Sequence, residues 1–421
     1  MRKSKVVIVL FLLMALVSSC AQQPRSTTAP EASKNNTSAP EKPTSNATQT
    51  DTPTQTPSEI PTIENFPIVY SKGADIWIYD PNTSSKIALT GANSKTGLEG
   101  EFYEPKLSPS GEFVSFKQKY SEFIIVNLNQ FTYQSIPNGN RQGWATENIL
   151  GWDQNNYLYF TKENGACVFW EEPRSSIESV DVVVYDPETQ QIVENFSLPQ
   201  EIGEPINSTG IAVSPTGRFI TGDPFWCGPE PDFVPYFVYD RQTGEIYFHK
   251  EGHTIIADNE QWIAQLDYSG LDQQGSTIIR IRQLNADNSA LVYQAEQNGG
   301  YLMDMTWSPN SEFLAVKEYA SSENWNGNWH PAYRSNVSLK VIPTNKVSAL
   351  SNGQEQSVQA KTLAENVGEI FGWTPDSEYI IFTTGTIDAN GNMLDRELKM
   401  LRLDTLETII IDSGRIYDSH W

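Results

Sequence analysis

The sequence predicts an all-β fold, a seven-bladed β-propeller of four-stranded blades, on three observations. A short turn grammar recurs at intervals of strand-pair size. Short β-rich segments, not helical stripes, fill the space between the turns. The last residues repeat the start of the pattern and stop before its turn.

The turn is clearest at Leu107-Ser108-Pro109-Ser110-Gly111-Glu112-Phe113-Val114. Pro109 has its φ preset for a turn, and Gly111 tolerates positive φ. The same grammar returns at Val213-Ser214-Pro215-Thr216-Gly217-Arg218-Phe219, at Trp307-Ser308-Pro309-Asn310-Ser311-Glu312-Phe313 and at Trp373-Thr374-Pro375-Asp376-Ser377-Glu378-Tyr379. Weaker copies are Trp152-Asp153-Gln154-Asn155-Asn156-Tyr157 and Ala257-Asp258-Asn259-Glu260-Gln261-Trp262. Between turns lie segments such as Asp75-Ile76-Trp77-Ile78-Tyr79-Asp80, rich in β-branched and aromatic residues. A unit therefore has four strands. Strand A ends at the Ser-Pro turn, B follows it, C often ends in Tyr-Asp, and D closes. The Tyr-Asp turn recurs at Tyr185-Asp186 and Tyr239-Asp240.

Six such turns are present, yet the body opens at Phe66 on a B strand and the chain ends at Arg415-Ile416-Tyr417-Asp418-Ser419-His420-Trp421, which reads as an A strand. Trp421 stands where Trp307 and Trp373 stand in their units. The expectation is that this last strand completes the first blade and closes the ring, giving seven blades, with six blades as the alternative count.

The Ser-Pro-x-Gly and Tyr-Asp pattern resembles the TolB-type, WD-repeat-like propeller repeats, and is similar to the propellers of prolyl-oligopeptidase relatives. The resemblance covers about Phe66 to Trp421. Proteins of the TolB type also carry a small domain before the propeller; here a polar segment takes that place. There is no Gly-x-Ser-x-Gly elbow of a hydrolase domain, no phosphate loop and no dinucleotide fingerprint.

The amino terminus reads as an export signal over residues 1–19. A basic start, Met1-Arg2-Lys3-Ser4-Lys5, precedes an apolar run from Val6 to Leu16. Val17-Ser18-Ser19-Cys20 resembles the lipobox of bacterial lipoproteins, which implies a lipid on Cys20 and cleavage before it. An ordinary secretory signal with a chance cysteine is the alternative. Residues 20–62 hold Ser, Thr, Pro, Ala, Asn and Gln with almost no large apolar side chain, too little to offset ordering entropy. This segment reads as a tether with a mean reach of roughly 35 Å. The propeller then occupies residues 63–421. The expected location is the bacterial cell envelope, outside the cytoplasm, with the lipid as the contact with the membrane.

The chain of 421 residues carries a formal net charge of −23. Residues 1–62 hold six Lys/Arg and four Asp/Glu, so the remainder carries −25. That argues against nucleic acid and against flat docking on anionic lipid, and the plain reading of the charge is solubility.

Strand direction puts A–B and C–D turns at one end of the ring and B–C and D–A connections at the other. The B–C connections vary most, and variable loops on a rigid scaffold are where binding residues concentrate. They contain Phe169, Trp170, Phe225, Trp226, Trp325, Trp329 and Tyr333. Aromatics in loops either anchor a partner or a sugar ring, or pack on themselves as small satellite cores. The D–A class is read to include Ser351 to Ala364. Cys167 and Cys227 lie in the B–C loops of adjacent blades, as a disulfide stapling two loops or as two separate thiols. No metal site is expected, since these cysteines lack histidines at ligand spacing, and no cofactor is expected. Function is read as a binding or scaffold propeller whose long-loop face engages a protein, peptide or glycan. The alternatives are a polysaccharide-active enzyme with loop carboxylates as acid and base, or a structural part of an envelope complex.

Overall fold

The computed structural model describes residues 66–119, 122–137, 148–165, 177–199, 202, 211–222, 236–249, 253–267, 277–284, 290–296, 300–319, 337–345, 353–387 and 393–420. The first blade begins with β1 (Ile68–Lys72), β2 (Asp75–Asp80) and β3 (Ser85–Ala88). Blade 2 is β4 (Phe102–Leu107), β5 (Phe113–Gln118), β6 (Glu122–Asn127) and β7 (Thr132–Pro137). Blade 3 is β8 (Ile149–Trp152), β9 (Leu158–Gly165), β10 (Ile177–Asp186) and β11 (Gln191–Ser197). Blade 4 is β12 (Ala212–Val213), β13 (Phe219–Gly222), β14 (Tyr236–Asp240) and β15 (Glu245–His249). Blade 5 is β16 (Thr254–Ile256), β17 (Trp262–Asp267), β18 (Ile278–Gln283) and β19 (Ala290–Gln294). Blade 6 uses β20 (Tyr301–Trp307), β21 (Phe313–Tyr319), β22 (Val337–Pro343) and, after β23 (Glu355–Ser357), β24 (Lys361–Glu365). Blade 7 is β25 (Val367–Trp373), β26 (Tyr379–Ile387), β27 (Met393–Arg402) and β28 (Thr408–Ser413). Last comes β29 (Ile416–His420), which pairs with β1.

The seven sheets settle the count at seven blades, and β29 supplies the A strand that blade 1 lacks, as its sequence predicts. Val69 faces His420 and Tyr70 faces Ser419 in that pairing.

Each blade is buried on both faces, so its strands are not simply alternating. Alternate residues feed different neighbours. On β10, Val180, Val182 and Val184 pack toward blade 4, while Val183 and Tyr185 pack toward blade 2. The clusters of buried apolar residues each straddle two adjacent blades, from blades 1 and 2 at Val69, Val114 and Phe116 round to blades 7 and 1 at Ile381, Leu398, Tyr70 and Ile416. The core is therefore a set of blade-to-blade joints.

The recurrent turn has one hydrogen-bond design. The hydroxyl of Ser108 accepts from Phe113 N at 3.0 Å, Ser214 from Phe219 N at 3.0 Å, Ser308 from Phe313 N at 2.9 Å and Thr374 from Tyr379 N at 3.0 Å. The turn residue in the left-handed region is Gly111 (φ 73) or Gly217 (φ 74), but Ser311 (φ 59), Ser377 (φ 63), Asn156 (φ 64) and Glu260 (φ 54) hold the same place without glycine's freedom. At the weaker copies, Asp153 Oδ1 accepts from Tyr157 N at 3.0 Å in place of the serine hydroxyl, and Ala257 keeps only the backbone bonds. The Asp of the Tyr-Asp motif caps the C–D turn: Asp80, Asp186 and Asp240 each accept from a backbone N–H two residues on, at 2.9 Å.

One connection is corrected. The stretch Ser351 to Ala364 is not a D–A connection. It belongs to the C–D connection of blade 6, which detours outward, adds β23 in parallel to β19 as a fifth strand of blade 5, and returns as β24. Both candidate roles look alike in sequence, because a long polar stretch does not say which strand it leads to. The detour also covers an exposed sheet edge.

Candidate functional site

The ring axis is lined by the A strands, and a local irregularity aims them. The pairing of A with B shifts register between Tyr103 and Lys106, Ile149 and Gly151, Met303 and Thr306, and Ile370 and Gly372. These are β-bulges, which kink a strand and redirect the residues that follow. Two of them place non-glycine residues at positive φ, Glu104 at 54° and Asp304 at 51°. Both are held by a lysine from the B strand. Lys117 Nζ lies 2.6 Å from Glu104, and Lys317 pairs with Asp304 and, at 2.9 Å, with Glu369 of the next blade. Burial alone would lower the Lys317 ammonium, but Asp304 and Glu369 outweigh it and hold it raised.

Beyond the bulges the A strands enclose a cavity of about 910 Å³ at the end of the ring that carries the A–B turns. Two register positions line it. The inner layer is the penultimate residue of the A strand: Lys106, Gly151, Ala212, Ile255, Thr306 and Gly372 from blades 2 to 7. The outer layer, three residues further on, is Pro109, Gln154, Pro215, Asp258, Pro309 and Pro375. Met305 and Phe371, each one residue before the inner layer, add apolar surface. In each layer one blade departs from small, apolar or neutral residues and supplies a charge: Lys106 in the inner layer and Asp258 in the outer.

Lys106 Nζ donates to the Leu150 carbonyl at 3.2 Å. Burial lowers its ammonium to about 8; Glu104 pulls the other way and Lys117 adds to the fall. Asp258 is exposed where it lines the cavity. The ring atoms around it, with the like-charged Glu260 nearby, raise its carboxyl above the usual range.

The cavity mouth is rigid because the turns around it are bonded to one another. Ser110 N donates to Asn156 Oδ1 at 3.0 Å, Gln154 N to Pro215 O at 2.6 Å, and Thr216 N to Glu260 Oε1 at 3.1 Å. Asn259 N donates to Ser311 Oγ at 3.1 Å and Asn310 N to Ser377 Oγ at 3.0 Å. These bonds run from blade 2 to blade 7 without a break.

The site residues expected from sequence, Phe169, Trp170, Phe225, Trp226, Trp325, Trp329 and Tyr333, lie outside the described residues, as do Cys20, Cys167 and Cys227. Lys106 and Asp258 escaped the sequence reading, which looked for binding residues in the B–C loops and not beside the Ser-Pro turns. The signal was there: with the blades aligned on their turns, Lys106 and Asp258 are the charged exceptions at two repeat positions. Among the described residues, no group of three or more His, Cys, Asp or Glu side chains is placed to hold a metal ion.

No family model matches the chain, and no curated protein matches it. Solved structures similar to it include an oligogalacturonate lyase from Vibrio parahaemolyticus, 13% identical with a TM-score of 0.49 over 81% of this chain and 86% of that one. The propeller domain of the Trilobed protease from Pyrococcus furiosus is 12% identical, with a TM-score of 0.48 over 82% and 98%. A putative TolB from Agrobacterium tumefaciens is 14% identical, with a TM-score of 0.41 over 73% and 96%. These likenesses say nothing of ligand or activity; the fold rests on the chain's own seven sheets, and it is a seven-bladed β-propeller.

Proposed function

We propose that the protein is a binding module of the bacterial cell envelope, carried on a lipid at Cys20, extended by the tether of residues 20–62, and engaging a protein, peptide or glycan along the axis of its propeller. The cavity supports this reading. About 910 Å³ is the volume of a small-ligand or short-oligomer site, and the turn-to-turn bonds hold it open before anything binds. The aromatics expected in the B–C loops, Phe169, Trp170, Phe225, Trp226, Trp325, Trp329 and Tyr333, are the second proposed contact set, with Cys167 and Cys227 either as a disulfide or as two separate thiols.

The enzyme alternative needs two converging carboxylates; among the described lining residues the cavity presents Asp258. The structural alternative draws on apolar side chains exposed on outer strands, Ile192 at 62% and Ile410 at 57%.

The test uses the full chain in detergent against peptide and glycan panels. Ala212→Trp, at an exposed lining position, fills the cavity, and Trp226→Ala with Trp325→Ala strips the loop face. Binding that weakens in one of these variants supports the reading; panels that give no ligand, or ligands indifferent to both changes, sink it. In cells, Cys20→Ala should abolish lipid labelling and release the protein from membranes.

A further inference from the structure

The two charges of the cavity stand across from each other. Lys106 belongs to blade 2 and Asp258 to blade 5. In a ring of seven, three steps is the largest separation two blades can have, so the two residues stand on opposite sides of the one cavity they line. Neither makes an ion pair among the described residues; the carboxylate acting on Lys106, Glu104, is itself paired with Lys117. Lys106 uses one N–H on the Leu150 carbonyl and has two left. Asp258 accepts no hydrogen bond and makes no ion pair among the described residues, and the charged neighbour acting on it, Glu260, has its own sign. Between them the wall offers Ile255, Met305 and Phe371.

This pattern discriminates by charge. A neutral oligosaccharide would leave both groups without a counter-charge. A polyanion would meet Asp258, and a polycation Lys106. A ligand with opposite charges at its two ends and an uncharged, partly apolar body satisfies all three features. We propose that the cavity binds a short peptide with free ends, its carboxylate on Lys106 and its ammonium on Asp258. This rests on the binding reading above and gives the ligand class of the cavity. The odd residues at two repeat positions are then the specificity determinants, and the remaining blades are the frame that holds them apart.

The experiment is calorimetric titration of the full chain in detergent with a series of Ala/Leu di- to pentapeptides, each residue adding about 3.5 Å of reach. Each peptide is used with free ends, acetylated at the amino end, and amidated at the carboxyl end; neutral oligosaccharides run alongside. Each blocked end should weaken binding about tenfold or more, the usual size of a charge-assisted bond. Asp258→Asn should remove the difference between free and acetylated peptides and leave the amide effect. Lys106→Gln should do the reverse. Thermal melts confirm that both variants fold, and a variant that does not is replaced by Asp258→Ser or Lys106→Met. Blocking that leaves Kd unchanged overturns the proposal. So does binding of oligosaccharide or a loop-dependent partner with no peptide binding, an outcome that leaves the binding reading standing. Silence from every ligand sinks both.

Discussion

Blades 2 to 7 are joined in one way and blades 7 and 1 in another. In the repeated joint, neighbouring A–B turns share a hydrogen bond, and in blades 3, 6 and 7 an A-strand tryptophan also reaches back one blade. Trp152 Nε1 donates to Lys106 O at 3.1 Å, Trp307 to Ile255 O at 3.3 Å and Trp373 to Thr306 O at 3.2 Å. Trp152 stacks on Phe113 and Trp373 on Phe313 with ring centroids 6.2 and 6.1 Å apart, so the stack also repeats. At the seam, β29 crosses from the end of the chain to pair with β1. Asp412 of β28 accepts from Tyr70 Oη at 2.7 Å and pairs with Lys72 at 2.9 Å and Lys86 at 3.0 Å, all three from blade 1. The repeated joint links residues about 45 to 70 apart; Tyr70 and Asp412 are 342 apart. The repeat makes each joint from neighbouring blades, but the ring needs one long-range event to finish it. Such pairings form late, because loop-closure entropy precedes their reward.

The largest effect should come from removing the seam strand. Deleting residues 416–421 uncovers Ile68, Val69 and Tyr70, each at most 1% exposed in the closed ring. The loss should be on the order of 5 kcal/mol or more, with a broadened melt in which blades 1 and 7 open first. Hydrogen exchange at β1 reads this directly, and a synthetic peptide of residues 414–421 should restore protection. A truncated chain melting within about 2 °C of the full one would mean that the strand is decoration and that the ring is held elsewhere.

A smaller effect should come from the ion cluster. Burial alone would raise the Asp412 carboxyl, but bonds from Tyr70, Lys72, Ser413 N and Lys86 outweigh it and hold it at about 2. The folded value lies below the ordinary value of 3.8, so the stabilisation is complete above about pH 4 and is lost as pH falls toward 2. Asp412→Asn should cost about 2 kcal/mol at neutral pH, less than a fully buried pair because Lys72 and Lys86 are about a third exposed. The gap between variant and parent in urea titrations should close across that acid window. A gap that persists at about pH 2 would assign the cost to packing rather than charge.

The comparison also shows which features a sequence can carry. The turns were legible because they are built locally, in five of the six copies from a hydroxyl or carboxylate that meets a backbone N–H four or five residues on. Ring closure was legible because Ile416 to Trp421 copies an A strand and its place is fixed by elimination. The bulges at Glu104 and Asp304 were not legible. A bulge is a mismatch in count between two strands, and neither strand records it alone; a positive φ at an acidic residue has no sequence mark. Lys106 follows one of these bulges and Asp258 follows a strand paired without a shift; both stand out in the sequence as charged exceptions once the blades are aligned on their turns. The detour of β23 was hidden for a similar reason: its parallel pairing to β19 depends on a strand 65 residues earlier.

The smallest effect tests whether the repeated joint is independent at each place it occurs. Trp152→Phe and Trp373→Phe keep a ring on Phe113 and Phe313 but remove the indole N–H, leaving the carbonyls of Lys106 and Thr306 without that donor. Each should cost about 1 to 2 kcal/mol in urea unfolding. Trp152 should be the dearer of the two, because its N–H also serves Ser115 Oγ at 3.1 Å. The two sites stand in blades 3 and 7 and share no partner, so the double variant should be additive within about 0.5 kcal/mol. A larger deviation would show that a closed ring passes strain from joint to joint. Repeating the pair in the chain lacking residues 416–421 separates the two sources of coupling: additivity restored by opening the ring assigns the deviation to closure, and a deviation that survives assigns it to the turn-to-turn bonds.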